Sequence, residues 1–290
     1  LKVEDNDDFT FSNATSATNG TGDDPFSISA WIYLDTLGAN MPIITKYDAS
    51  STLREWEFIV ERDDASNAHL YFQAYDENAN AALAAEVEAN TLGLATWYHV
   101  VVTYDGGESH SGVNFYQDGT LATIGAVGTA GGYVAMQNTS QDVWIGREND
   151  GSSNLYFDGR MMEVAIWDKE LNQTEINQIY NKGCPVSLLG CNSDAGSDLV
   201  AWWRMGGDNR DALNASDLVF GDGTVNRIVD QVDHPNFIAT GSGMQASSAD
   251  IKTDIYPNAC AFADKAKCWD QAGSSIDTGS LNTSFFTQSF

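Results

Sequence analysis

The chain is short of positive charge. Against 41 aspartates and glutamates it carries 14 lysines and arginines, a formal charge of -27 over 290 residues. Phosphate backbones and anionic lipid surfaces are gripped by basic footprints, so nucleic acid and an anionic membrane are excluded as partners. No apolar run approaches the roughly 20 residues of a membrane-spanning helix, which predicts a soluble piece with no membrane insertion. The start at Leu1 rather than methionine reads as the trace of a removed leader or upstream region. Histidine is equally sparse, and His69, His99, His110 and His234 form no metal-spaced pair. Neither a Gly-x-Ser-x-Gly elbow nor a phosphate-cradling glycine loop occurs, which leaves hydrolase and kinase chemistry of those kinds without support. The four cysteines fall as two close pairs, Cys184 with Cys191 and Cys260 with Cys268. Neither spacing is that of a zinc knuckle, so a local disulfide in each pair is the simplest connectivity and favours an oxidising destination. Six Asn-x-Ser/Thr triplets, at Asn13, Asn19, Asn138, Asn172, Asn214 and Asn282, are glycan acceptors only in a host that uses them.

What is present is strand pattern. At 42% hydrophobic the chain can bury a full core, and its length permits one large β domain or two smaller ones. Phe26, Ile28, Ala30, Ile32 and Leu34 alternate with Ser27, Ser29, Trp31 and Tyr33. Trp56, Phe58 and Val60 alternate with Glu55, Glu57, Ile59 and Glu61, and Leu70, Phe72 and Ala74 alternate in the same way over 68–75. From Trp97 to Tyr104 both phases are apolar or aromatic, which predicts a central strand covered on both sides. Asp118-Gly119 is a two-residue hairpin signal, because both positions of that turn take positive φ. Leu171 to Lys182 shifts to helical spacing, with Gly183 and Pro185 as the stop.

The stretch from Trp97 to Ile176 strings these pieces in one order: Trp97 to Gly106, Asn114 to Thr120, Val143-Trp-Ile-Gly146, Phe157-Asp-Gly159 running into Glu163 to Trp167, then Leu171 with Glu175-Ile176. That order, with Phe26-Ser-Ile-Ser-Ala-Trp31 ahead of it, resembles the laminin G-like branch of the concanavalin A-like sandwiches. The resemblance covers about residues 1–182. The expected fold is all-β: an antiparallel concanavalin A-like jelly-roll sandwich over 1–183 with one short helix, followed by an irregular C-terminal appendage over 184–290. Within that appendage, Leu199 to Met205 reads as a Trp-rich strand packed on the sandwich or on a neighbouring subunit.

Acidity outside a cell serves bulk solvation or calcium ligation. Hard oxygen ligands gather at Asp5, Asp7 and Asp8, at Asp23 and Asp24, and at Asp158 with Glu163, and laminin G-like relatives hold Ca2+ at loop edges with such groups. For a glycan, the aromatics of outward phase are Trp31, Tyr33, Tyr71 and Tyr75, with Glu55 and Glu57 as acceptors for sugar hydroxyls. The acids Glu55, Glu57 and Glu61 also resemble the acidic trio of laminarinase-type glucanases, although their spacing departs from it. That leaves a β-glucan hydrolase using Glu55 and Glu57 as one alternative. The reading favoured by the resemblance is a non-catalytic recognition or structural protein of a virion, such as a tail-fibre or capsid-decoration subunit. A secreted microbial adhesin is the other alternative. The expected partners are glycans or other proteins of the same assembly, in a homo-oligomer at an extracellular or virion surface.

Overall fold

A computed structural model describes residues 1–13, 22–149, 154–183, 185, 188, 198–203 and 205, and the backbone of two further strands at 227–229 and 238–240. Strands are numbered in chain order. The larger sheet runs β11 (Ile124–Thr129), β6 (Ala81–Val87), β5 (Asn67–Asp76), β4 (Leu53–Arg62), β3 (Met41–Asp48), β12 (Val143–Ile145), β1 (Lys2–Val3), β18 (Ile238–Thr240) and β17 (Arg227–Val229). Short strands β7 (Leu92–Gly93), β13 (Arg147–Asn149) and β14 (Asn154–Tyr156) attach beside that path. The smaller sheet runs β10 (Thr120–Leu121), β9 (Val113–Gln117), β8 (Trp97–Tyr104), β2 (Phe26–Leu34), β15 (Gly159–Trp167) and β16 (Leu199–Trp203).

Alternation decides what lies between the sheets. Phe26, Ile28, Ala30, Ile32 and Leu34 of β2 meet Trp56, Phe58 and Val60 of β4 and Leu70, Phe72 and Ala74 of β5 in one continuous core. Its aromatic centre includes Phe11 stacked on Phe26 at 4.2 Å and Trp56, whose indole N–H donates to the Phe9 carbonyl at 2.9 Å. The Asp118-Gly119 turn joins β9 to β10 with φ of 50° and 74°, the left-handed pair expected of it.

A second core lies on the other face of the smaller sheet. The helix α1 (Gln173–Tyr180) lays Ile176 and Ile179 against Val101, Tyr116, Ala165, Trp167 and Trp202. This is why both phases of β8 are buried. Asn172 caps the helix: its side-chain oxygen accepts the Thr174 and Glu175 amides, and the Glu175 carboxylate accepts the Asn172 amide. The helix stops earlier than its sequence pattern, because Asn181 takes the left-handed cap at φ 46°, two residues before Gly183.

Leu199–Trp203 pairs antiparallel with β15 inside this chain and buries both of its faces, Ala201 and Trp203 in the first core and Leu199 and Trp202 in the second. The strand therefore completes the smaller sheet of this chain. Cys184, Cys191, Cys260 and Cys268, and with them both expected disulfides, lie outside the described residues, as do the triplets at Asn19, Asn214 and Asn282.

Candidate functional site

With helix α1 over the smaller sheet, the larger sheet keeps its outward face uncovered by any helix among the described residues, and polar residues collect there. Cross-strand register places Glu57 opposite Gln73, Ile59 opposite Tyr71 and Glu61 opposite His69. The Tyr71 hydroxyl donates to the Gln73 side-chain oxygen at 2.6 Å, and the Gln73 amide donates to the Tyr47 hydroxyl at 3.4 Å. Tyr47 and Tyr75 meet edge to face at 6.3 Å. Burial, with the Glu57 charge adding, holds the Tyr47 and Tyr71 phenols far above their ordinary range, so both stay neutral.

At one end of this face a cleft of about 820 Å³ opens between Thr52–Arg54, the turn at Glu77–Asn80 and the segment from Gln137 to Ser140. The Arg54 guanidinium lies 3.7 Å over the Tyr75 ring and grips the Glu77 carboxylate with two bonds of 2.6 and 2.7 Å. That fork holds arginine and ring in one geometry. The Tyr75 hydroxyl donates to Asn80 at 2.7 Å.

Three buried carboxylates fix the far wall. Asp23 accepts the Tyr104 and Tyr133 hydroxyls and the Met136 amide; Asp76 accepts the Val134 amide and the Gln137 side chain; Glu55 accepts the Thr139 amide and hydroxyl. Segment 133–139 is thus held by charge-assisted bonds at three points, and it presents Asn138 to the cleft. Burial pushes the Asp23 carboxyl up to about 6, against the pull of its three donors and with the Glu108 charge adding.

Several sequence expectations change here. Glu55 is fully buried and paired with Lys46 at 2.5 Å; Thr10 and Thr139 also donate to it, so no oxygen is left for a sugar or for nucleophilic attack. Trp31 and Tyr33 belong to the smaller sheet and do not join Tyr71 and Tyr75. Trp31 is buried under Tyr180 and against His99, and Tyr33 packs on Trp97 under Arg160. The ring of His99 is held by stacking more than by hydrogen bonds, since its Nδ1 has no partner among the described residues, and burial lowers it to about 3.

The expected calcium ligands separate as well. Asp23 is consumed as described, and Glu163, at a bulge of β15 with φ 54°, accepts the Trp202 indole N–H at 2.7 Å on the smaller sheet. Asp158 accepts from Thr36, Asp5 pairs with Lys46 at 2.8 Å, and Asp7 accepts from Asn138. Asp5 and Asp7 do reach the cleft rim. Asp8 and Asp24 lie near Asp168, whose carboxyl is raised by burial first and then by the charges of Asp24, Asp198 and Asp8.

One cluster is not foreshadowed by the sequence. Glu61, His69 and Glu86 come from β4, β5 and β6, and their ligand atoms lie within 4.8 Å of one another. Burial raises the Glu61 carboxyl, with His69 pulling the other way and Glu86 adding. Spacing along the chain gives no metal signature for residues 8 and 17 positions apart; strand register alone unites them. Lys46 carries a signal that its spacing does not: a lysine within the largely apolar segment Met41–Tyr47 needs a buried partner, here Glu55.

The chain belongs to the concanavalin A-like lectin/glucanases superfamily, whose laminin G family model matches residues 5–177. Among solved structures it is similar to a putative carbohydrate binding protein from Bacteroides ovatus, at 19% identity over 85% of this chain and 60% of that one, with a TM-score of 0.48. It is also similar to a pentraxin from Limulus polyphemus, at 16% identity over 66% of this chain and 82% of that one, TM-score 0.40. A third is the CBM40 of a Ruminococcus gnavus sialidase, at 9% identity over 54% and 83%, TM-score 0.39. The chain spans about 60% of the length of the Bacteroides protein. No curated protein matches by sequence.

Proposed function

We propose that the chain is a non-catalytic recognition subunit that binds a glycan on the outward face of its larger sheet, in the cleft beside Tyr75. The observation that carries this reading is the cleft's chemistry. Arg54, Asn80, Asn138 and Ser140 supply donors and acceptors of the kind that replace water around sugar hydroxyls, on a wall fixed before any ligand arrives. Tyr75 supports two of these groups from behind, its ring carrying Arg54 and its hydroxyl bonded to Asn80. The occupied oxygens of Glu55 argue against the hydrolase alternative, because a retaining glycosidase needs a nucleophile that reaches the sugar.

Display on a virion as part of a homo-oligomer, or on a microbial cell as an adhesin, is the setting we propose for this subunit. It rests on the laminin G-like resemblance and on the acidic composition, which suits extracellular water. Calcium at the rim, through Asp5 and Asp7, is part of the same proposal.

The test is glycan-array binding of the purified chain, with calcium and again with a chelator, for wild type and Asn80→Ala. Binding to a defined sugar class that falls about tenfold or more in Asn80→Ala, the loss of a well-placed polar contact, supports the cleft. Dependence on calcium supports the rim ion. Silence of the folded chain under both conditions, or binding unchanged in Asn80→Ala, overturns the proposal.

A further inference from the structure

We propose that Glu61, His69 and Glu86 form a binding site for one divalent transition-metal ion of the zinc class. This site stands apart from the glycan reading, at the other end of the same sheet.

His69 lies at the centre of the site. Its side chain is 9% exposed, and its Nδ1 lies 2.9 Å from the Asp63 carboxylate. Asp63 is itself fixed, accepting the Asn90 amide on its other oxygen at 2.6 Å. With a proton on Nδ1 facing Asp63, Nε2 carries a bare lone pair. That nitrogen is buried and has no hydrogen-bond partner among the described residues. It points instead at two carboxylates, Glu61 and Glu86, with one oxygen of each 3.7 Å away.

Those distances fit poorly with a plain ion pair. A charged N–H···O contact closes to about 2.7–2.9 Å, and 3.7 Å lies outside hydrogen-bond reach. They suit a shared metal better. With metal–nitrogen and metal–oxygen distances near 2.1 Å, two ligand atoms on a tetrahedral ion stand about 3.4 Å apart. The two nitrogen–oxygen distances need to close by a few tenths of an ångström to seat the ion, and the two carboxylates, within 4.8 Å of each other, draw together on their partly exposed side chains.

The ligand set then selects the metal. One neutral imidazole and two carboxylates suit zinc and its neighbours, whereas calcium takes oxygen ligands. The carboxylate that orients the imidazole from behind, Asp63, is the outer partner that metal-binding histidines use. Three protein ligands leave a fourth position. The Glu61 and Glu86 side chains are 35% and 29% exposed, so it faces solvent and is open to water or an exogenous ligand.

The experiment is isothermal titration of the full chain, stripped with a chelator, with zinc chloride and separately with calcium chloride. It is repeated for His69→Ala, Glu86→Gln and Asp63→Asn, each verified as folded by circular dichroism. The expected result is a zinc site that calcium does not fill. It weakens on the order of 100-fold or more in His69→Ala and about 10- to 100-fold in Asp63→Asn. Glu86→Gln, at a partly exposed carboxylate, carries the test if His69→Ala does not fold. Absence of zinc binding by wild type, or equal zinc affinity in wild type and the folded ligand variants, overturns the proposal.

Discussion

Lys46 and Glu55 meet 2.5 Å apart on neighbouring strands with neither side chain exposed. Glu55 is therefore given over to the fold: it neutralises a buried ammonium and fastens Thr139 at the wall of the cleft. Removing one partner of such a pair strands the other charge. Glu55→Gln is expected to lower unfolding free energy by about 3 kcal/mol, a little relieved by Asp5 at the open side of Lys46. Denaturant titration of wild type and variant measures it. A variant as stable as wild type would return Glu55 to the pool of groups available for chemistry.

The pH response should show two buried groups working against each other. Asp23 in the fold titrates at about 6, above the roughly 3.9 of an unfolded aspartate, so between those pH values the native state holds a proton that the unfolded state has released. Its contribution is present below about pH 4 and is lost as pH rises through 6, by about 3 kcal/mol in all. His99 does the reverse. Held near 3 in the fold against about 6.5 unfolded, it contributes stability above pH 6.5 that is lost as pH falls toward 3. Asp23→Asn should therefore remove the decline from about pH 4 to 6, and His99→Phe, which keeps a ring between Trp31 and Tyr180, should flatten the acid limb. Unfolding free energies across about pH 3.5–7.5 for the three proteins (a range set by those values) would show both slopes, and identical curves would refute the assignment.

The two-residue period of the strands is legible in the sequence, and so is the apolar face of each. Phe26 to Leu34 and Trp56 to Val60 reach the core as their alternation requires. What alternation cannot carry is the sheet to which an outward face belongs. Trp31 and Tyr75 share an outward phase yet stand on different sheets, one beneath helix α1 and the other beneath the Arg54 guanidinium. Register is similarly silent in sequence, which is why nothing in the chain groups Glu61 with His69 and Glu86, and why Asp23 reads as a calcium ligand until Tyr104 and Tyr133 close on it. The site depends on pairings between strands, whereas the fold's outline depends on patterns within them.

Gly159, part of the Phe157-Asp-Gly segment, has a steric role at the start of β15. A Cβ there would sit 2.0 Å from the Tyr33 carbonyl oxygen, an atom of the neighbouring strand that cannot swing away. Gly159→Ala should force β15 off β2 at this end and cost about 1–3 kcal/mol, the usual range for overpacking. Thermal unfolding reads the loss, and a variant with an unchanged midpoint would mean that the two strands part freely there.

Helix α1 starts on a reciprocal pair of side chains, Asn172 and Glu175. Asn172 accepts the Thr174 amide at 2.9 Å and the Glu175 amide at 3.2 Å, while Glu175 returns a bond to the Asn172 amide and takes Lys169 on its other oxygen. Asn172→Ala leaves those amides without the cap and should destabilise the chain by about 1 kcal/mol; Asn172→Asp keeps an acceptor and should lose little or none of it. The same asparagine opens an Asn-Gln-Thr triplet, so glycan attachment here would have to coexist with the cap. Because α1 covers Trp167 and Trp202, fraying of its first turn should first appear as a change in tryptophan emission below the global transition. Comparing Asn172→Ala with Asn172→Asp by emission and by circular dichroism separates the cap from any effect of losing the asparagine alone. Equal behaviour of the two variants would show that the lid over the smaller sheet is held by its apolar face and not by its N-terminus.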